Sequence, residues 1–413
     1  MHDCTVATCE WWVMNKLPTY AQALKATLSL VQQTSVTERM PLTSSVGRIV
    51  AEEIVADRDL PPFNRSQMDG YAVRAIEVQN GTSMQVVGEV SAGTTFNEMA
   101  DENTCVAIAT GAPVPSCFDA VVQHELTDNG EDRVVFNCGT INPGKSIHPC
   151  GVDAKAGDVL IGKHTELFPQ HIGIAASVGV SEIEVLSKPK VIVLTSGDEV
   201  VDTNTKPLAH QIRNSNNPMI ETAFASMGCE VIETHHLNDD FDATCSEVIS
   251  ALDGRCDLLV TVGGISAGKR DYFSTSFEHV GVEISVKGVA IQPGKPVIVG
   301  KKSATVVLGL PGNPVSALAC SCIFGWPIVR GLQGVSATLP WQEMSLLKET
   351  TPNPARLVFR PCIMRDGKVA VPTWHGSGDF AHTAETNGLS QLPQSESKLQ
   401  EGAQVLFLRY PWC

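Results

Sequence analysis

The sequence predicts a multidomain α/β plus β protein, with a mostly parallel α/β domain, a helical domain, a small β domain and a C-terminal β-barrel. Its 413 residues exceed the length at which one hydrophobic core usually stops growing. Strand-type apolar runs alternate with helical patterns in residues 185–337, which favours a parallel sheet with helices on both faces. Short β-type runs separated by turn residues lie before and after that stretch.

The first predicted segment, residues 17–57, is expected to be helical. The stretches "PTYAQALKATLSLVQQ" and "SSVGRIVAEEIVA" repeat apolar residues at intervals of three and four, the spacing of one helix face. Residues 146–184 contain a further helical pattern, "PQHIGIAASVG", which is expected to pack back on the first segment. The two segments are therefore assigned to one discontinuous helical domain.

Residues 58–145 are predicted to form the small β domain, because short β-type runs recur there between turn residues. These runs are "MQVVGEV", "TCVAIAT", "AVVQHEL" and "DRVVFN". Residues 338–413 contain similar short β-type runs and are assigned to the small C-terminal barrel. These runs are "ARLVFRPCIM", "KVAVPTW" and "AQVLFLRY".

Within the α/β domain, strands and helices are expected to alternate along the chain. Strands are predicted at "KVIVLTSG", "CEVIETHHL", "DLLVTVGG", "PVIVG" and "ATVVLGLPG". Helices are predicted at "PMIETAFASMG", "DDFDATCSEVISAL", "RDYFSTSFEHVG" and "NPVSALACSCIFG". Asn217 is the candidate N-cap of the first of these helices, with Pro218 at its first position.

Composition narrows the class of partner and the compartment. The formal charge of -15 argues against nucleic acid or an anionic membrane surface, so an anionic substrate needs backbone N–H groups, lysines or a metal. The 13 cysteines are scattered without a CxxC pair, which indicates buried thiols in a reducing compartment. The N-terminus lacks a signal pattern, and no stretch approaches about 18 uninterrupted apolar residues. A soluble, cytoplasmic protein is expected.

The stretch "LLVTVGGISAGKRDYF" carries the strongest local signal for a ligand. Gly263, Gly264 and Gly268 surround Ser266 directly after a predicted strand, and Asp271 follows. The loop lacks the G-K-[ST] ending of a P-loop. Ligands of open parallel sheets bind outside the carboxyl ends of the strands, so residues that follow the other strands are further candidates. These residues are Ser196, Gly197, Asp198, Glu199, Asp239 and Asp240, together with Pro311, Gly312, Asn313 and Pro314 of "PGNP".

Two opposing kinds of group meet at this edge of the sheet. Glycine loops and a helix start favour a phosphate-like anion, whereas carboxylates from three loops would repel one. A divalent cation such as Mg²⁺ between them resolves the conflict, and acids with hydroxyls also suit a polar organic ligand with many donors. Taken singly, each feature also has a plainer interpretation as a turn, a helix start favoured by the dipole, or a cap.

Motifs in a fixed order give a resemblance that covers the chain from about residue 17. They are "LPPFNRSQMDGYAVR", "ATGAPVP", "GKSIHPCGVDAKAGD", "TSGDE", "NSNNPM", "TVGGISAGKRDY", "IQPGKP" and "GLPGNPVSA". In this order they resemble the molybdopterin molybdenumtransferases, the family that includes the gephyrin E domain. The resemblance implies an elongated homodimer, with an extended helical domain, a β domain, a molybdopterin-binding α/β domain and a β-barrel in each subunit.

The resemblance also implies a reaction and its site. Molybdate would be inserted into adenylylated molybdopterin with release of AMP, assisted by Mg²⁺, in a cleft shared between subunits, and contact with the molybdopterin adenylyltransferase is implied. Asp69, Glu199, Asp239 and Asp271 would be catalytic, and the last three would hold the metal. Substrate would contact Thr110, Asp153, Ser196, Gly197, Asp198, Gly263, Gly264, Ser266, Gly268, Lys295, Pro311, Gly312, Asn313 and Pro314.

Several positions depart from the family pattern. Gln292 and His148 stand where lysine and arginine are usual, Val152 replaces a glutamate, and Gly288 lies at a position that is often basic. These changes leave open a non-catalytic relative that binds molybdopterin species or a protein partner. A nucleotidyltransferase acting on the pterin is a third hypothesis, against which the additional domains speak. The choice between molybdate and tungstate, the recipient apo-enzyme and the role of residues 1–16 stay open.

Overall fold

The computed structural model describes residues 17–266 and 271–413. Contacts divide the chain into two compact units: residues 39–185 form one, and the residues before 39 and after 185 form the other. The units are called the N-terminal β unit and the α/β-barrel unit below. The finer division into four domains, 17–57 with 146–184, 58–145, 185–337 and 338–413, stays a prediction.

The first helix and the elements of the N-terminal β unit follow one another in chain order. They are α1 (Tyr20–Leu30), β1 (Thr37–Pro41), β2 (Ile54–Val55), β3 (Arg65–Ser66), β4 (Gly70–Val73), β5 (Ser83–Val90), β6 (Thr104–Ile108), β7 (Ala120–Gln123), β8 (Arg133–Val135), β9 (Ile147–His148), β10 (Val159–Ile161), α2 (Pro169–Ser177) and β11 (Glu182–Leu186).

A five-stranded sheet is the core of the N-terminal β unit. Its strand order is β7-β4-β6-β5-β8, and only the β5–β6 pair is parallel. Tyr71 and Val73 belong to one buried cluster and Ala72 to another, because successive residues of a strand point to opposite faces. Both faces of this sheet are therefore covered. The strands of residues 58–145 and the helix α2 were predicted correctly, whereas the small β domain as a separate domain stays a prediction.

The predicted helix at "SSVGRIVAEEIVA" is wrong. Gly47 has φ +78°, a left-handed conformation that interrupts a right-handed helix, and Ile49 and Val50 make β-bridges with Glu166 and Val185. Strand β2 then pairs with β10. Three- and four-residue spacing of valine and isoleucine was misleading here, because β-branched residues suit half-buried extended backbone equally well.

The remaining elements belong to the α/β-barrel unit. They are β12 (Lys190–Ser196), β13 (Val200–Val201), β14 (Ile212–Arg213), α3 (Asn216–Ser226), β15 (Glu230–Leu237), α4 (Phe241–Ala251), β16 (Leu258–Val262), α5 (Tyr272–His279), β17 (Glu283–Lys287), β18 (Ile291–Gln292), β19 (Ile298–Lys302), β20 (Thr305–Leu310), α6 (Pro314–Cys320), α7 (Trp326–Leu332), β21 (Gln342–Leu346), β22 (Leu357–Arg365), β23 (Lys368–Ala370), β24 (Gly388–Leu392) and β25 (Gln404–Arg409).

The α/β sheet has the order β15-β12-β16-β20-β19-β17. The first three pairings are parallel and the last two antiparallel, so the prediction of a mostly parallel sheet is confirmed. Separate hydrophobic cores lie on its two faces, which places helices on both sides. Helix α1 packs in the first of these cores through the buried Ala23, whereas the sequence had grouped it with residues 146–184.

Helix bounds differ from the predictions at two places. Helix α3 begins at Asn216 with Ser215 at its N-cap position, two residues before the predicted cap Asn217. The closing helix does not stop at Gly325, because a π-helical turn (Ser321–Gly325) joins α6 to α7.

The joined helix Pro314–Leu332 has 19 residues and is long and apolar enough, by length and composition only, to cross a membrane. Serine, proline and arginine interrupt its apolar residues, and 83% of its 18-residue apolar window is buried inside the protein. It is the core helix of the α/β sheet, and its apolar character follows from that burial.

The C-terminal strands close into a barrel, as predicted. Strands β22, β23, β21, β25 and β24 pair in this order, and β24 pairs again with β22 to complete a ring of five. Strand β18 adds to β22 in parallel. Strands β21 and β24 were not predicted, since "QEMSL" and "GLSQL" are short and half polar.

Candidate functional site

A cavity of about 510 Å³ lies at the carboxyl ends of the parallel strands β12, β16 and β20. The sequence placed the candidate site at this edge of the sheet, and nine of its candidate residues line the cavity. They are Ser196, Glu199, Gly264, Ser266, Asp271, Pro311, Gly312, Asn313 and Pro314. Gly268 lies outside the described residues.

The glycines of the loop after β16 allow the loop backbone to lie close to Ser196 and Phe273. Gly263 and Gly264 have φ of +90° and +57°. A Cβ atom on Gly264 would lie 3.1 Å from both the Phe273 ring and Ser196 Oγ. The backbone of this turn therefore reaches the cavity only because no side chain stands there.

Two carboxylates face the cavity from different loops. A Cβ atom on Gly197, where φ is +142°, would lie 2.9 Å from Glu199 Oε2, so Glu199 folds back over that glycine. Asp271 lies at the N-cap position of α5 and also lines the cavity. Both acids therefore line the same cavity, at the edge of the sheet where the sequence placed them.

The acids after β15 are placed differently. The Asp239 amide donates to Asp198 Oδ1 at 2.9 Å, and neither residue is among those that line the cavity. Asp240 accepts a hydrogen bond from the Ala243 amide at 2.7 Å and is the N-cap of α4, which is the plainer interpretation of that acid. Among the residues that the structure describes, no group of three or more His, Cys, Asp or Glu side chains is arranged to hold a metal ion.

Sequence reasoning missed an amide that lines the cavity from the start of α3. Asn216 Nδ2 donates to the Gly312 carbonyl at 2.7 Å. Its Oδ1 is buried and has no hydrogen-bond partner within the described residues, so it can accept a donor of a ligand. The polar run "RNSNN" before an apolar helix was the available signal.

A second group that sequence reasoning did not assign is a chain of three hydrogen-bonded residues that also line the cavity. Asn214 Nδ2 donates to Thr195 Oγ1 at 3.3 Å, and Thr195 Oγ1 lies 2.9 Å from His236 Nδ1. The other ring nitrogen of His236 donates to the Gly197 carbonyl at 3.1 Å. This chain fixes the turn that carries Glu199.

Three predicted site residues lie in the N-terminal β unit. Asp69 Oδ1 accepts from the Thr110 amide at 2.8 Å. Asp153 Oδ1 lies 2.9 Å from His148 Nε2, so the histidine found in place of an arginine contacts a predicted substrate residue.

We expect the Asp69 carboxyl to titrate below the ordinary value near 4. Hydrogen bonds from Thr110, its backbone amide first, lower the pKa of Asp69 because they favour the charged form. The bond then stabilises the loop above the unfolded-state pKa, and this contribution is lost as pH falls through the lower folded-state pKa. Carboxyl carbon NMR with the Thr110 amide shift as a second probe measures this, with the urea-unfolded chain as reference. A folded-state pKa equal to the unfolded one would contradict it.

Lys295 and Gln292 do not line the 510 Å³ cavity, although Pro296 next to Lys295 does. Gln292 Oε1 instead accepts from Asn353 Nδ2 at 2.6 Å, within the barrel end of the same unit. Lys295, which the resemblance implies as a substrate contact, is thus not part of the main cavity wall.

Three family models match the chain in order. The MoeA N-terminal region (domain I and II) matches residues 18–179, a probable molybdopterin-binding domain residues 192–331, and the MoeA C-terminal region (domain IV) residues 343–410. A molybdopterin molybdenumtransferase of Synechocystis sp. is 32% identical over 383 residues, covering 90% of this chain and 94% of the relative. One from Haemophilus influenzae is 35% identical over 298 residues, covering 72% and 73%. A solved MoeA protein of Pyrococcus horikoshii OT3 superimposes with a TM-score of 0.83 at 25% identity, covering 96% and 100%.

Proposed function

Since the chain belongs to the molybdopterin molybdenumtransferases, transferases of molybdenum cofactor biosynthesis, we propose that it inserts molybdate into adenylylated molybdopterin and releases AMP. The observation that carries this proposal is that glycine turns, two carboxylates and an amide oxygen without a partner among the described residues all line one cavity. Gly264 and the "PGNP" turn offer backbone to a pyrophosphate, and Asn216 Oδ1 offers an acceptor to a pterin N–H group.

Mg²⁺ fits the donors present and is proposed as the cofactor. This ion is commonly held by one or two carboxylates together with substrate phosphates, so Glu199 and Asp271 suffice without a three-ligand cluster. When bound, it neutralises the anionic substrates and polarises the phosphoanhydride that is cleaved. Asp239, which the resemblance also implies as a metal ligand, does not line this cavity, and its amide is bonded to Asp198.

The chain's own residues bind and orient in this proposal. The chain of Asn214, Thr195 and His236 holds the turn of Glu199, and Asn216 ties the α3 start to Gly312. Both reactants are then fixed before reaction, which is a large part of catalysis for anhydride cleavage. No serine or cysteine nucleophile with a paired histidine is required.

The test is incubation of the protein with adenylylated molybdopterin, molybdate and Mg²⁺, scoring AMP and molybdenum cofactor. Formation of both products is expected. Tight pterin binding without AMP release would instead support the non-catalytic relative, which the departures at Gln292 and His148 favour.

A homodimer, a shared cleft and a cytoplasmic location are also proposed, from the family alone. Light scattering of the purified chain is expected to give twice its mass of 44.2 kDa. Contact with the molybdopterin adenylyltransferase is proposed on the same ground and is tested by co-purification.

We expect Lys295→Ala to raise the molybdate concentration at half-maximal rate far more than Lys287→Ala does. Lys295 is exposed beside Pro296 of the cavity wall, whereas Lys287 is already paired with Glu278 Oε1 at 2.5 Å. Loss of one charge-assisted bond should weaken molybdate binding by roughly five- to thirtyfold, or about 1–2 kcal/mol. Gln292→Lys should shift the value in the opposite direction. Equal effects of the two alanine changes, in titrations of molybdate against product, would place the oxyanion elsewhere.

A further inference from the structure

The cavity at the carboxyl ends of β12, β16 and β20 carries two acids on its wall, Glu199 and Asp271. Lys295, the cation that the resemblance implies as a substrate contact, does not line it. A phosphate group that enters this cavity therefore meets negative charge. Its binding requires a positive group that sequence reasoning did not assign.

Two basic side chains line the cavity within the described residues, and they are Arg213 and His236. His236 has a partner at each ring nitrogen, since Nδ1 lies 2.9 Å from Thr195 Oγ1 and Nε2 lies 3.1 Å from the Gly197 carbonyl. The hydrogen-bonding capacity of His236 is therefore used inside the protein. Arg213 is the basic side chain of this wall that has donors left for a ligand.

The backbone around Arg213 is fixed beside the turn that carries Glu199. Arg213 is the second residue of β14, and its partner on β13 is Val201. The Ile212 amide donates to the Glu199 carbonyl at 2.9 Å, and the Asn214 amide donates to the Val201 carbonyl at 2.8 Å. Hydrogen bonds on both sides of Arg213 thus hold the cation and the acid in a fixed backbone arrangement on the wall of one cavity.

The side chain of Arg213 is exposed and anchored at one atom. Its Nε donates to the Thr205 carbonyl at 3.2 Å, and the structure records no ion pair for it within the described part of the chain. A guanidinium has five N–H donors, so the two NH₂ groups keep four of them. A side chain that is already held at Nε loses less freedom when it binds a ligand, which favours binding.

We propose that Arg213 binds a phosphate group of the substrate in this cavity and so favours a phosphate-linked, adenylylated ligand. The two NH₂ groups form a fork that matches two phosphate oxygens. The positive charge also offsets the repulsion between the phosphate and the two carboxylates. The name of the ligand rests on the proposed function, whereas phosphate as the group that is bound rests on Arg213 itself.

The experiment is calorimetric titration of the full chain with AMP at a fixed Mg²⁺ concentration, without molybdate or pterin. Arg213→Gln is expected to weaken AMP binding by about tenfold, the effect of losing one charged hydrogen bond. Arg213→Lys should recover part of this loss, because it restores the charge but not the fork. In the cofactor assay, Arg213→Gln should raise KM for the adenylylated substrate and leave kcat within about twofold.

Arg365→Gln is the matched control and should leave AMP binding unchanged. Arg365 is an exposed arginine at the end of β22 and does not line the cavity. Three results would each overturn the proposal: no AMP binding to the wild-type protein at millimolar concentration, wild-type affinity in Arg213→Gln, or an equal loss in both glutamine variants. Should Arg213→Gln fail to fold, Arg213→Lys decides, because wild-type affinity in that variant would show that the fork makes no contact.

This result is separable from the proposed function. Weaker AMP binding in Arg213→Gln, in a protein that forms no cofactor, would support the role of Arg213 and contradict the proposed reaction. Cofactor formation with a wild-type KM in Arg213→Gln would support the reaction and contradict the role of Arg213.

Discussion

Replacing Asp271 by asparagine is expected to remove most cofactor synthesis while leaving the fold intact. Asp271 lines the main cavity and stands at the N-cap position of α5. Asparagine has the same shape and caps helices equally well, so the helix start survives and only the negative charge is lost. If that charge holds Mg²⁺, the rate should fall by about 100-fold, on the order of 3 kcal/mol of transition-state free energy.

The measurement is AMP release as a function of Mg²⁺ concentration. The variant should need more Mg²⁺, so its defect is largest when the ion is limiting. Asp242→Asn is the matched control, because Asp242 is an exposed acid in the first turn of the neighbouring helix α4. AMP release at limiting Mg²⁺ that equals the wild-type rate would rule out this role for Asp271.

Replacing Phe224 by alanine is expected to cost about 3–5 kcal/mol of unfolding free energy in the α/β-barrel unit. The ring is fully buried in the core that joins α3 to the closing helix. A Cβ atom on Gly325 would lie 2.8 Å from Phe224 Cζ, so the ring rests directly on the backbone of that helix. Helix backbone does not move into the cavity that the substitution leaves. The expected loss of unfolding free energy therefore lies toward the upper end of the range for large-to-small substitutions in a core.

Urea unfolding followed by tryptophan emission measures this effect, since Trp326, Trp341, Trp374 and Trp412 all belong to the α/β-barrel unit. The comparison is Ile249→Ala, a helix residue that is 52% exposed and should change stability by less than about 0.5 kcal/mol. Similar midpoints for the two variants would mean that Phe224 does not contribute to the core as its burial indicates.

The sheet and the loops at its edge could be predicted from the sequence because short stretches of adjacent residues determine them. Strand β16 is a continuous apolar run that ends on Gly263 and Gly264, and both the strand and its tight turn follow from those residue types. The same holds for "PGNP", where residues that end a strand are followed directly by residues that begin a helix.

The parts that failed depend on long-range contacts. Residues 45–57 have helical spacing, and only their partners around 159–185 hold them extended. Asn216 is recognisable as a site residue only once the strand pair β13–β14 has brought it to the cavity. Asp239 was assigned to the cavity because it follows a strand, but its amide is bonded to Asp198 and it lies off the wall.

The π-helical turn between α6 and α7 has a consequence for how this helix can change. An α-helix turns by about 100° per residue, and a π turn accommodates one residue more than an α turn does. Removing a single residue from Ser321–Gly325 would restore regular α-helical winding and leave α7 in nearly the same rotation relative to α6, because the π turn already accommodates the extra residue. The apolar stripe of α7, with Ile328, Val329 and Leu332 now in the core, would still face it. The same deletion inside α6 or at the start of α7 would instead rotate every residue that follows it by about 100°.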